Sequence, residues 1–208
     1  MTYYKWLKPD GTSLYAEWQW PLPTEDGHGA WTPYVERLDL RDGGYHASTL
    51  NSLIGYTNSI NNLACYEVEF DGDVLVGDDK VAGHKARLVR KVGEMDARKW
   101  RLLACDYAER VLPIYEQKYP NDARPRATIE VARRYANGKT DFEEMDAART
   151  AARTAAWAAA RDAAGAAARD AARAAARAAA WAAARDAARA AEKEWQGQRL
   201  MEYLREAI

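Results

Sequence analysis

The sequence predicts an α+β protein of two domains, a small α+β unit over residues 1–94 and an alanine-rich, all-α unit over 95–208. Three observations predict it. Apolar residues recur with a period of two in the first half, a helical period takes over from Glu94, and 29 of the 45 residues from Ala147 to Ala191 are alanine.

Charge and glycine divide at the same seam, near Gly93. Residues 1–94 hold most of the glycine and carry 9 Lys/Arg against 14 Asp/Glu, a local balance of −5, while the remainder carries 21 against 17, or +4. The halves are therefore electrostatic complements able to dock on each other. The whole chain has a formal net charge of −1, so any attraction to nucleic acid or membrane must rest on a local patch. With 48% hydrophobic and 29% charged residues, composition excludes wholesale disorder and a membrane-spanning protein. The opening MTYYKWLKPDG has no basic stretch followed by an apolar run, which points to the cytoplasm.

In the first domain, Leu14, Ala16, Trp18 and Trp20 alternate with Tyr15, Glu17 and Gln19, the pattern of a strand with one buried face, ended by Pro21 and Pro23. Ser48 to Ile60 breaks that rhythm, with Leu50, Leu53 and Ile54 at helical spacing behind a Ser/Thr cap. Ala64, Tyr66, Val68 and Phe70 then alternate with Cys65, Glu67 and Glu69. Asp71-Gly72 follows, before Val74 and Val76 resume the pattern, which reads as a hairpin.

In the second domain, Leu103, Tyr107, Val111 and Tyr115 form one helical stripe, and Pro113 is expected to kink that helix. A second helix should start at Pro125 and stop at Gly138. Thr140 with Glu143 reads as a capping box opening a third. In the alanine tract that follows, the other residues keep a four-residue beat from Arg149 to Lys193, interrupted by Trp157, Gly165 and Trp181. Each such step drifts about 40° round a straight helix, so the arginines wind round it instead of lining one face. A straight helix over the whole segment would be about 100 Å long, so a bend near Gly165 is expected. Alanine faces let backbones approach closely, which suits pairing with a second copy of the chain.

The run RLLACDYAERVLPIYEQKYPNDARPRATIEVARRYANGK, with Cys105, the AERVLP segment, Asp122, the Arg124-Pro125-Arg126 turn, Gly138 and the alanine tract behind it, resembles the Imm5-like immunity proteins of polymorphic toxin systems. The resemblance covers the second half and implies a helical protein that neutralises a toxin. The first half, with Tyr4-Lys5, GYHAS at Gly44 to Ser48, YEVEF and DDKVAGHKARL, resembles an uncharacterised domain common in phage and prophage proteins.

These features point to a non-enzymatic, protein-binding inhibitor from a phage or mobile element that occludes a toxin or a bacterial defence complex, the anti-CRISPR type included. Partner-binding candidates are Trp31 and Tyr34, carried on proline-flanked loops, and Arg161, Arg169, Arg173 and Arg177 of the tract. An alternative uses NAD. The order of GYHAS, a helix and a strand bearing Glu67 and Glu69 resembles the layout of ADP-ribosyltransferase-like domains, with His46, Glu67 and Glu69 as the catalytic candidates. A second alternative is nucleic-acid binding, since 147–191 holds eight arginines against three aspartates with tryptophans interleaved. Acid-first pairs such as Asp170 with Arg173 favour solvated arginines instead. No GxGxxG, P-loop, GxSxG or HExxH motif occurs, and His28, His46 and His84 lack ligand spacing, so neither a metal nor a cofactor is expected under the binding reading. Cys65 and Cys105, each inside an apolar stretch, read as buried, reduced thiols.

Overall fold

A computed structural model of the chain describes residues 1–25, 27–56, 62–154 and 178–206. It is an α+β protein, with strands in the first half and helices in the second. The chain divides into two compact units, Met1–Ala97 together with Glu192–Ile208, and Arg98–Ala191. Residues 192–208, read from sequence as part of the helical domain, thus cluster with the strands.

Unit 1 is organised around β3 (Leu63–Phe70), which pairs antiparallel with β1 (Tyr3–Leu7) on one side and β6 (Ala86–Met95) on the other. A second three-stranded sheet places β5 (Val81–Gly83) between β2 (Tyr45–Ala47) and β4 (Val74–Val76). The sheets meet where Tyr4 and Ser48 exchange two backbone hydrogen bonds of 2.8 Å. Segment 29–35 covers the outer edge of β6, because the N–H groups of Gly29, Thr32 and Val35 donate to the carbonyls of Leu88, Ala86 and His84. That pairing uses backbone groups an open edge would offer to other chains.

Alternation along β1 and β3 separates two apolar faces. Leu7, Ala64, Tyr66 and Val68 join Trp20, Ala47 and Val81 in one core. The opposite face carries Trp6 and Cys65, which are partners in register. Trp6 Nε1 donates to the Leu53 carbonyl at 2.9 Å, tying in a short helix, α1 (Leu50–Leu53). Leu200, Met201, Tyr203 and Leu204 of the last helix are buried in the same unit. The approach is close enough that a Cβ added at Gly93 would lie 1.8 Å from the Leu204 carbonyl oxygen. Both faces being covered, Leu63 to Tyr66 are buried without interruption, which is why the alternation expected for this strand fails over its first half.

Three further expectations are corrected in this unit. Residues 14–20 do not form a strand. Gly11, at φ +86°, turns the chain into an irregular loop closed by Ser13 N–H to the Trp18 carbonyl and by a single bridge between Thr12 and Gln19. Trp20 is buried there, but Trp18 stays 38% exposed. Asp71-Gly72 does turn, with Gly72 at φ +85°, yet it does not make a hairpin of its flanking strands, since β4 pairs with β5 and the turn passes the chain between sheets. The helix expected from Ser48 shortens to α1 and a 3-10 turn, Ile54–Tyr56; the expected remainder, 57–60, lies outside the described residues.

Unit 2 opens with an antiparallel pair of helices, α2 (Ala97–Lys118) and α3 (Arg124–Ala136). Polar clamps run the length of the pair. Arg98 donates to Asn137 Oδ1, Arg133 to Asp106 at 2.6 Å and Glu109 at 2.5 Å, and Arg126 grips Glu116 through two bonds of 2.7 Å. Asp122 closes the connection by accepting from the Tyr115 hydroxyl at 2.7 Å and from the Arg124 backbone and guanidinium. The Arg124 and Tyr115 bonds hold its carboxyl far below the usual range. Buried positions on α2 are Lys99, Leu102, Leu103 and Asp106, with Cys105 and Leu112 on another side. Val111, expected in the stripe with Leu103, is 47% exposed, because two four-residue steps carry it about 80° off that face. Pro113 lies inside α2, which continues past it to Lys118.

α3 ends as expected at Gly138, whose φ of +66° lets Lys139 N–H reach the Arg134 carbonyl at 2.8 Å. The following cap shifts by one residue from the expected box. Asp141 Oδ1 accepts from Glu144 N–H at 2.9 Å and opens helix α4, residues 142–154. Helix α5 (Ala178–Arg205) contributes its end to unit 1. The bend expected near Gly165, Trp157 and the side chain of Trp181 lie outside what is described.

Two outcomes test these packing arguments. Gly93→Ala should destabilise the protein by about 3 kcal/mol in urea unfolding, since the clash is with backbone. Asp122→Asn should lower the urea midpoint at pH 7. A depressed folded-state pKa gives stability that is present above the unfolded carboxyl value of about 3.9 and lost as the pH falls below it, so the wild-type advantage should disappear in acid.

Candidate functional site

Unit 1 carries a cleft of about 550 Å³ between β1, the start of β2 and the 13–20 loop. Its aromatic walls include Trp18, Trp20, Tyr45 and Tyr56. Tyr45 holds the two tryptophans in place, with ring centroids 5.9 Å from Trp18 and 5.6 Å from Trp20. Trp20 Nε1 donates to Ser13 Oγ at 2.9 Å, fixing the loop that forms one wall.

The polar side chains on this cleft are serines, tyrosines and three basic groups. Lys5, His46 and Lys80 line it, and no Asp or Glu does. Lys5 occupies the core side of β1, in line with Tyr3 and Leu7 and opposite Tyr66. Its ammonium lies 4.9 Å from the centre of the Trp20 ring and donates to the His46 carbonyl at 2.7 Å. Among the described residues no ion pair joins it to a carboxylate. Burial without a counter-ion lowers its pKa to about 8. His46 Nε2 meets the Asp39 carbonyl at 2.9 Å, and since a carbonyl only accepts, that nitrogen carries the proton. Burial and the nearby Lys5 and Lys80 lower the His46 pKa, against a smaller opposing effect of the Asp39 bond, so the ring is neutral at pH 7. The Tyr56 hydroxyl is buried with no hydrogen-bond partner. Burial, and then nearby Asp79, raise its pKa.

Of the catalytic candidates read from sequence, the cleft holds His46 alone. Glu67 and Glu69 do not line it; each faces an arginine across the β3–β6 ladder, Glu67 gripping Arg90 through bonds of 2.9 and 2.5 Å and Glu69 meeting Arg87 at 2.7 Å. Trp31 and Tyr34 sit on the segment that covers the β6 edge. Trp31 lies under the Arg87 guanidinium at 4.5 Å and the Lys85 ammonium at 5.3 Å, and Tyr34, 66% exposed, stacks on His84 at 5.1 Å. His84 Nδ1 also bonds the Val35 carbonyl at 2.8 Å. Arg161, Arg169, Arg173 and Arg177 lie outside the described residues. Four arginines of unit 2, Arg124, Arg126, Arg133 and Arg134, engage carboxylates, while Arg98 donates to Asn137 and Arg101 lies over the Tyr135 ring. Cys65 and Cys105 are buried free thiols, and burial raises the pKa of both, the opposite of what a nucleophile needs.

Sequence reading missed Lys5, Lys80, Tyr45 and Tyr56 as site residues. Lys5 did leave a signal: a lysine at the middle of a Tyr3, Lys5, Leu7 alternation stands on the apolar face of a strand, where a charge is unfavourable.

The family model described as "Imm-5 like putative immunity protein" matches residues 90–193, half of the chain. The matched stretch begins inside β6 and contains all of unit 2. No curated protein and no solved structure matches this chain. Among the described residues no helix is long and apolar enough to cross a membrane.

Lys5→Met, which keeps the length of the side chain and removes the desolvated charge, should raise stability at pH 7 by about 1–2 kcal/mol. A lysine whose folded pKa is depressed to about 8 binds fewer protons folded than unfolded, so the wild type gains stability as the pH rises from there toward 10.5. The advantage of the methionine variant in thermal unfolding should shrink over that interval.

Proposed function

The chain belongs to the Imm-5 like family of immunity proteins, and from that premise we propose that it is a non-enzymatic inhibitor that binds a toxin and neutralises it by occlusion. The family match carries this reading, because it spans the whole of unit 2 with its clamped helical pair. A toxin is favoured over a bacterial defence complex as the target for the same reason. Carriage on a mobile element is part of the proposal, and rests on the GYHAS, YEVEF and DDKVAGHKARL segments of residues 1–94.

The physical state of unit 2 suits a binding role. Arg133, Arg126 and Arg124 fix α2 against α3 before any partner arrives, so little ordering would oppose association. The same pairing weighs against a phosphate-binding surface, since these guanidinium groups are already neutralised by carboxylates. On unit 1, Trp31 and Tyr34 remain the aromatic contacts proposed for the partner, held rigid by the cations and histidine stacked on them. Arg161, Arg169, Arg173 and Arg177 remain the proposed contacts on the alanine tract.

Co-expression with toxin domains in a host that they kill tests the reading. Growth should be restored only when the chain is made in amounts comparable to the toxin, and the two should co-elute as a complex of fixed stoichiometry. The double variant Trp31→Ala, Tyr34→Ala should weaken that complex by about tenfold or more. Rescue by trace amounts, with no complex, would overturn occlusion in favour of a catalytic activity.

A further inference from the structure

We propose that the cleft of unit 1 binds a small molecule that carries one carboxylate or phosphate on a flat aromatic body. Its volume of about 550 Å³ falls within the ordinary range for small-molecule sites and is enough for one ring system and its substituent. The walls supply the ring's surroundings. Trp20 and Tyr45 are fixed against each other at 5.6 Å, and Trp18 keeps more than a third of its surface exposed beside them.

The sign of the ligand's charge follows from what lines the cleft. Lys5 and Lys80 line it beside a neutral His46, and no carboxylate does, so an anion is attracted and a cation repelled. Lys5 has three N–H donors and spends one on the His46 carbonyl. An anion beside it would replace part of the solvation that burial removed. The buried Tyr56 hydroxyl faces the Asp79 carboxylate, so it belongs to the neutral wall of the cleft and the anion is left to the Lys5 end. Lys5, a buried charge with no carboxylate paired to it among the described residues, is thus of the kind an anion stabilises. Lys5 titrates near 8, so it is still charged at pH 7.

The site is independent of toxin binding, and the two are tested separately. Full-length protein at pH 7 is titrated, by tryptophan fluorescence and calorimetry, with adenosine monophosphate, indole-3-acetate, adenosine and inorganic phosphate. At least one of the first two should bind about tenfold or more tightly than both adenosine and phosphate, and which of them does so assigns the anion as phosphate or carboxylate. Lys5→Met and the exposed-site variant Trp18→Ala should each weaken that binding by about tenfold or more while far-ultraviolet circular dichroism is unchanged. Should Lys5→Met fail to fold, Lys80→Ala takes its place beside Trp18→Ala. Absence of binding by both ring-bearing anions below about 1 mM, equal binding of adenosine or phosphate alone, or unchanged affinity in the folded variants would each overturn the proposal.

Discussion

Burial of both faces of the sheet formed by β1, β3 and β6 is the constraint on which unit 1 depends. A sheet so short buries too little on one face to stand alone, and β3 accordingly carries apolar residues toward both. One face is filled by Trp20, Ala47 and Val81, brought by the 13–20 loop and the second sheet. The other has Trp6 and Cys65, with Leu53 from α1 and Leu200 to Leu204 from the chain's last helix buried in the same unit. Gly93 admits that helix, since any side chain there would occupy the space of the Leu204 carbonyl. The cleft is a by-product of the same arrangement: β1 lies in the main sheet and its Tyr4 bonds Ser48 just beyond β2, so the two sheets converge and leave a concavity that the 13–20 loop walls in.

Local chemistry was legible in the sequence where it acts over a few residues. Gly138 ends α3, Pro125 opens it, and Asp71-Gly72 turns, because each of these depends on backbone geometry that one or two residues decide. What long-range pairing decides was not legible. The Asp-Gly turn looks the same from sequence whether its flanking strands pair with each other or with β6 and β5. The period of two in Leu14 to Trp20 reads as a strand with Trp18 and Trp20 buried on one face, but the segment is an irregular loop that buries Trp20 and leaves Trp18 exposed. Residues 192–208 read as helix and are helix as far as Arg205, yet nothing in their own periodicity says that they pack with the strands.

The same division explains the site. His46 was singled out by a resemblance, and it does line the cleft, but the glutamates grouped with it are spent on Arg87 and Arg90 across the ladder. The family signature was legible because it is sequence-local: Asp122 and the Arg124-Pro125-Arg126 turn form the knot that fixes α2 to α3, with Tyr115 and Glu116 as its partners. Cleft residues come instead from β1, the 13–20 loop, β2, the end of α1 and the turn before β5, five stretches that no short window contains. Only the misplaced charge of Lys5 betrayed them.

The packing of residues 192–204 with the strands also sets an order of events during synthesis. The main sheet is complete in sequence once Met95 has been made, but one of its faces has only α1 to cover it until Leu204 follows, more than a hundred codons later. At the usual pace of about 5–20 residues per second, that interval lasts roughly 5–20 s on the ribosome. During it the nascent chain presents Trp6 and Cys65 to the cell beside a helical unit that can already fold from local contacts. A product interrupted inside the alanine tract would keep that surface half covered for good, and would be removed by the machinery that recognises exposed apolar chains. Only chains translated through α5 would then persist, which makes residues 192–204 a checkpoint for the fold of the strands made long before them.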